Sequence, residues 1–238
     1  MRRAIVTGGT RGIGLAIARA ILVDGGRVIV TGVDTGRIER AVRVLSEESG
    51  RPEDVAGSLA DVRDPVAVDR LVQETVGRFG GLDTLINNAG VGLFGEVAAM
   101  ADADWNRVID TNLTGAFYCA RAVIPEMRRG GGGWIVNIAS LAGRNPFAAG
   151  AAYCASKAAL IAFSESLMQE VRYDSIRVSV VMPGSVATDF SGRAQTADDA
   201  WKLSPEDVAQ TVMDLLRHPG RSLPSRVELR PARPKTRS

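Results

Sequence analysis

Short apolar runs rich in Val and Ile alternate along the chain with longer stretches whose apolar residues recur every three to four positions. That is the signature of strands and amphipathic helices taken in turn. The first run, RAIVT at residues 3–7, ends in a glycine-rich turn, and LAIARAILVDGG beyond it has helical periodicity. A second strand is predicted over 27–32, followed by a charged helical stretch beginning near Arg37. The third unit, 54–62, has Asp61 at its carboxyl end, and a helix over 65–79 sets Val68, Leu71, Val72 and Val76 on one face. Further strands are predicted in 82–90, over 134–139 and in 175–190, the last ending at Pro183 and Gly184. Helices are predicted over 103–128 and from Tyr153 to about residue 173. Residues 189–204 are small and polar, the composition of a mobile loop over a cleft. Ser204 and Pro205 open a last helix, and a final strand over 226–230 runs into a tail containing Pro and Arg. No repeat or linker divides the sequence. The expectation is one α/β domain over 1–230, a doubly wound parallel sheet of seven strands, with 231–238 as a basic tail.

Composition narrows what such a sheet could do. With 238 residues, 45% apolar and 24% charged, the chain has ample material for a sizeable core. Its 29 basic and 27 acidic residues are intermixed, leaving a net charge of +2 and no nucleic-acid or membrane footprint. No apolar run approaches the roughly 20 residues that span a bilayer. The N-terminus enters strand and glycine turn too soon for a signal peptide, which makes the cytoplasm the expected compartment. Cys119 and Cys154 are too few for a disulfide framework or a zinc site. A single histidine, His218 near the C-terminus, argues against Ser-His-Asp or histidine-metal chemistry. An enzyme built on this chain needs another proton carrier.

Tyr153 is the candidate for it. Lys157 follows by four residues, which puts an ammonium and a phenol on one helix face. A free tyrosine titrates near about 10, and a neighbouring cation is expected to lower that by about 1–3 units, toward useful acid/base range. Ser140, 13 residues before the tyrosine, closes a strand-like run and so falls at a strand's carboxyl end. The Tyr-x-x-x-Lys spacing also arises by chance in many helices. Gly8, Gly12 and Gly14 stand between the first strand and helix, where backbone N–H groups can face a pyrophosphate or simply turn the chain. Asn87 and Asn88 end the fourth strand, either as a turn or as amides holding the cleft's loop. Asp61, Asn88, Ser140, Pro183 and the glycine turn all fall on one edge of the predicted sheet.

In order, the chain carries TGGTRGIG at 7–14, Asp61-Val62, Asn87-Asn88-Ala89-Gly90, Asn112, Ser140, Tyr153-x-x-x-Lys157 and Pro183-Gly184-x-x-x-Thr188. Over nearly its whole length it thereby resembles the short-chain dehydrogenase/reductase family, whose members have the Rossmann fold. The resemblance implies hydride transfer between a nicotinamide cofactor and a ketone or secondary alcohol. It implies that Tyr153 is the acid/base, that Lys157 lowers its pKa and binds the nicotinamide ribose, that Ser140 orients the substrate oxygen, and that Asn112 holds a water leading to Lys157. By the same likeness the cofactor lies against Gly8, Thr10, Arg11, Gly12, Ile13, Gly14, Asp61, Val62, Asn88, Ala89, Gly90, Pro183, Gly184, Val186 and Thr188, besides Tyr153 and Lys157. The ending VELRPARPKTRS departs from the glycine-rich close of carrier-protein ketoacyl reductases in the family.

Three expectations complete the reading. Gly32 ends the second strand where a carboxylate would mark NAD, while Arg11 and Arg37 are placed to meet a 2′-phosphate. NADPH is therefore expected over NADH, with Asp34 able to reverse the choice and NAD kept as the alternative. Leu93, Phe94, Leu141, Phe147, Met182 and Phe190 are candidate contacts for a small carbonyl or alcohol substrate, or else core. Ala116, Phe117, Ala120, Ala158, Ile161 and Ala162 give two helices more apolar faces than one sheet can cover, which suggests a homodimer or homotetramer unless they are buried within the subunit. A dinucleotide-binding regulator without turnover is the other class of function compatible with the fold.

Overall fold

The computed structural model describes residues 1–188, 190 and 199–233. Seven parallel strands, β1 (Arg3–Thr7), β2 (Arg27–Gly32), β3 (Val55–Leu59), β4 (Thr84–Asn87), β5 (Gly133–Ile138), β6 (Ile176–Pro183) and β7 (Arg226–Leu229), form one sheet in the order β3-β2-β1-β4-β5-β6-β7. Parallel neighbours need crossovers, and helices supply them: α1 (Gly12–Val23), α2 (Thr35–Ser49), α3 (Pro65–Phe79), α4 (Asp102–Ile109), α5 (Gly115–Arg129), α6 (Ala151–Val171) and α7 (Pro205–Leu216). Because side chains alternate along a strand, the sheet feeds two cores. Ala4 and Val6 of β1 pack with α1, α2 and α7, whereas Ile5 between them packs with α3, α5 and α6. The strand order reverses between β1 and β4, and the turns leaving those two strands diverge to open a crevice at their carboxyl ends.

The structure shifts several predicted boundaries, each for a local reason. α1 begins at Gly12 and not after Gly14, because Gly8 and Gly12 take φ of 62° and 53° and close the turn early. α2 starts at Thr35, capped by the Asp34 carboxylate, which accepts from the Arg37 backbone N–H at 2.9 Å. β3 is shorter than the predicted 54–62: a 3-10 turn at Pro52–Asp54 precedes it, and Asp61 lies two residues past its end. The helix predicted over 103–128 is broken at Asp110–Thr114 by a π-helical turn, a device that re-aims side chains near functional sites. Asn112 sits in that turn. Gly133 belongs to β5 and not to the preceding connector; a Cβ there would lie 2.7 Å from the Met127 sulfur.

At the carboxyl end of the chain, Leu203 forms a single parallel bridge with Val186, and Ser204 with Asp207 makes a reciprocal capping box on α7. Within the loop predicted over 189–204, positions 189 and 191–198 lie outside the described residues, as do 234–238 of the tail.

Candidate active site

Backbone geometry at the end of β1 builds one half of the cleft. α1 has no side-chain cap and no acidic residue in its first turn, so its first N–H groups are left facing the crevice. Close packing forces glycine here. A Cβ on Gly14 would stand 2.5 Å from both the Gly8 carbonyl oxygen and the Asn88 amide nitrogen. Asn88 in turn donates to the carbonyls of Thr7 and Gly8 at 3.0 and 3.1 Å. The Thr7 hydroxyl accepts from the backbone of Asn88 and Ala89, both at 3.0 Å. The two diverging turns are thus stitched together by one threonine and one asparagine. A bare helix N-terminus behind a glycine cradle fits the pyrophosphate of a dinucleotide.

The other half is set by β5 and α6. Ser140 follows β5 and caps the 3-10 turn Leu141–Gly143, its hydroxyl accepting from the Ala142 N–H at 3.1 Å. Lys157 is 4% exposed and donates to the carbonyl of Ile138, the last residue of β5, at 2.8 Å. Its nitrogen lies 5.8 Å from the centre of the Tyr153 ring. The expected lowering of the phenol by this cation does not occur in the free protein. Burial raises Tyr153 above its ordinary value, and a hydrogen bond from Ser140 opposes that without reversing it. Burial also acts on the lysine, pushing it down to about 8.

Asn112 is 1% exposed and holds the π-helical turn in place. Its amide accepts from the Val91 N–H at 2.8 Å and donates to the Val91 carbonyl and to Ser156 Oγ, both at 3.0 Å. Ser156 passes the link on, donating to the Tyr153 carbonyl at 2.8 Å. Asn112, Ser156 and Tyr153 therefore form one hydrogen-bonded chain between two helices.

All the predicted site residues line a single cleft of about 1200 Å³ except Gly14 and Asn112, which support it from beneath. Asp61 lines it with its carboxylate taken by Arg63 at 2.6 Å, which holds the acid below its ordinary range. Thr188 leans over the glycine turn, 3.3 Å from where a Gly12 Cβ would be. Of the six candidate substrate contacts, Phe94 and Phe190 flank Tyr153 with ring centres 5.6 and 5.7 Å away, and Phe147 stands 5.9 Å from Phe94. Leu141 also faces the cleft. Met182 is wholly buried in the core, on a strand covered on both faces, and Leu93 is half-buried outside the cleft. Sequence reasoning missed Thr7, Ser156, Arg63 and Arg230. A hydroxyl three residues after Tyr153 was the only local signal among them, since serine at that spacing can bond back to a helix carbonyl.

Burial of Lys157 has a sign that can be measured. Above its unfolded pKa of about 10.4 the amine is neutral in both states and costs nothing; as pH falls through about 8 the folded protein must hold a desolvated ammonium. The full cost, up to about 3 kcal/mol, is present at neutral pH. Lys157→Met is therefore expected to stabilise the free protein by about 1–3 kcal/mol at pH 7, a gain that shrinks toward pH 10.4. Urea denaturation of both proteins at the two pH values checks this, and a variant no more stable at pH 7 contradicts it.

Known proteins share this fold. The family described as short chain dehydrogenase matches residues 2–199. An uncharacterized oxidoreductase of Staphylococcus saprophyticus is 33% identical over 232 residues, 96% of each chain. A metagenomic short-chain oxidoreductase solved in complex with NADP is 36% identical, covers 97% of both chains and superposes with a TM-score of 0.84. L-Sorbose reductase from Gluconobacter frateurii, solved with NADPH and L-sorbose, is 31% identical over 96% of this chain and 94% of its own, with a TM-score of 0.87. With its family motifs gathered on one sheet edge, the chain belongs to the short-chain dehydrogenases/reductases and is a nicotinamide-dependent oxidoreductase.

Proposed function

We propose that the cleft interconverts a ketone and its secondary alcohol, with Tyr153 as acid/base. The observation that carries this reading is the convergence of Ser140 and Lys157 on Tyr153 beside the glycine cradle. A nicotinamide bound in the cleft would supply or accept the hydride. In reduction Tyr153, kept protonated by its burial, gives its proton to the oxygen as negative charge develops there; in oxidation it takes the proton back. Ser140 hydrogen-bonds that oxygen and orients it. Lys157 would hold the ribose hydroxyls, and its charge stabilises the phenolate left after transfer. A Cβ on Gly90 would lie 3.2 Å from Asn112 Oδ1 and 3.6 Å from the Lys157 nitrogen, so the two face a common space in which a water could return the proton. Aromatic rings around Tyr153 leave an apolar seat for a small-molecule substrate and limit access of bulk water.

NADPH is the proposed cofactor, with NAD as the alternative. The solved relatives named above hold NADP or NADPH. Among the described residues, the cleft is lined by eight cationic side chains, Arg11, Arg19, Arg37, Arg63, Arg107, Lys157, Lys202 and Arg230, and three carboxylates, Asp34, Asp61 and Glu206, with Arg19, Arg37, Arg63, Lys202 and Arg230 each paired to a carboxylate. Asp34, which could have favoured NAD, is tied to the cap of α2. We also propose a homodimer or homotetramer built on α5 and α6. Ala116, Ala120 and Ile161 are buried within the subunit, which removes them from the interface, but Phe117, Ala158 and Ala162 stay exposed, and Arg121 stacks on Phe117 and Tyr118 at 5.1 Å. No helix among the described residues is long and apolar enough to cross a membrane. We keep the cytoplasm as the compartment.

Tyr153→Phe preserves the ring contacts and removes the proton, so kcat should fall by roughly 10²–10⁴ with cofactor affinity nearly unchanged. Arg11→Ala should weaken NADPH by about tenfold or more and NADH far less. A nicotinamide absorbance assay on a carbonyl and alcohol panel with both cofactors reads both effects. Wild-type turnover in the tyrosine variant, or equal losses with the two cofactors in the arginine variant, contradicts the respective assignment. Light scattering should give a multiple of 25.2 kDa, and a monomer at micromolar concentration would exclude the interface.

A further inference from the structure

The last strand returns the chain to the substrate side of the cleft. Where a Cβ on Gly184 would stand, Pro231 Cδ lies 3.1 Å away and Leu141 Cδ1 3.3 Å away, so Arg230-Pro231 is seated beside the residue that follows Ser140. Both Arg230 and Pro231 line the cleft. Behind them, Glu228 is shared: one oxygen accepts from Arg144 at 3.0 Å and the other from Arg230 at 2.8 Å. Two guanidiniums on one carboxylate leave a net positive charge. Arg144 and Glu228 do not line the cleft, so the surplus is presented to it through Arg230. A guanidinium carries five N–H donors, enough to keep Glu228 and still take an oxyanion in the bidentate manner.

We infer that Arg230 selects carbonyl substrates that bear a carboxylate, on an apolar or aromatic body that fits against Phe94, Phe147 and Phe190. This rests on the reading of the cleft as a ketone reductase. A purely structural role for the Arg230-Glu228 pair is a weaker explanation, because the Arg230 side chain is 56% exposed and pairs of that kind stabilise little. Arg144 matters in the inference as the group that neutralises Glu228 from behind. Glu228 is the competitor that the substrate's carboxylate must share Arg230 with.

The test uses phenyl-substituted 2-, 3- and 4-oxo acids and their methyl esters, with NADPH saturating. Wild type should show higher kcat/KM for at least one acid than for its ester. Arg230→Ala should lower that acid-to-ester ratio by about tenfold, and Glu228→Gln, which frees Arg230, should raise it. A purely structural role would not move the ratio in opposite directions. Failure to reduce any of the acids, ester rates equal to or above acid rates, or a parallel loss on acid and ester in Arg230→Ala overturns the inference. Failure of the wild type to reduce acids and esters alike would instead overturn the reductase reading beneath it, whereas esters reduced without preference for the acids overturn only the inference, so the two failures are distinguishable.

Discussion

Lys157 carries its ammonium into a place where it is 4% exposed, and the Ile138 carbonyl 2.8 Å away is there to receive it. The rest of the site follows from that constraint. A buried cation is costly unless it is paired or hydrogen-bonded, so α6 must dock against the end of β5 closely enough for the contact to form. Docking is fixed at two levels. Near the cleft, Asn112, Ser156 and the Tyr153 carbonyl tie α6 to the π-helical turn. Deeper in, Asn87 donates to Asn137 at 2.9 Å and Asn137 to Ser164 at 2.8 Å, which ties the same helix to β4 and β5. A helix held this way has no freedom to slide, and Tyr153 is aimed by it.

The same desolvation explains the state in which the site waits. Charge on either Tyr153 or Lys157 is disfavoured by burial, so the free protein holds the phenol protonated and the amine down to about 8. An acid that keeps its proton until a substrate oxygen develops charge is the form suited to reduction. On the far side of the crevice the logic is inverted, with a helix N-terminus that has no side-chain cap and, among the described residues, more cationic than acidic side chains to meet an anion. One edge of one sheet therefore presents a neutral proton donor and a positive cradle a short distance apart.

Much of this was legible in the sequence, because it depends on local spacing. Strand and helix alternation fixed the sheet, and the ordered motifs marked the edge on which Ser140, Tyr153 and Asn88 meet. What spacing cannot convey is how far a group is withdrawn from water. Lys157 four residues from Tyr153 reads as a cation that lowers a phenol, yet the packing that brings them together also desolvates both, and desolvation wins. Met182 reads as a substrate contact until the covering of β6 on both faces puts it in the core. The π-helical turn at Asp110–Thr114 left no trace in the periodicity, and Arg230 reaches the cleft only because β7 pairs in parallel with β6.

The claim that burial and not the lysine sets the resting state of Tyr153 is tested most directly by ultraviolet difference titration of the cofactor-free protein, with the Tyr153→Phe variant subtracted to isolate this phenol from Tyr118 and Tyr173. The account predicts that its phenolate appears at higher pH than that of an ordinary tyrosine. A phenolate assigned to Tyr153 that titrates below the ordinary tyrosine range would contradict it, and would return the cation of Lys157 to the dominant role.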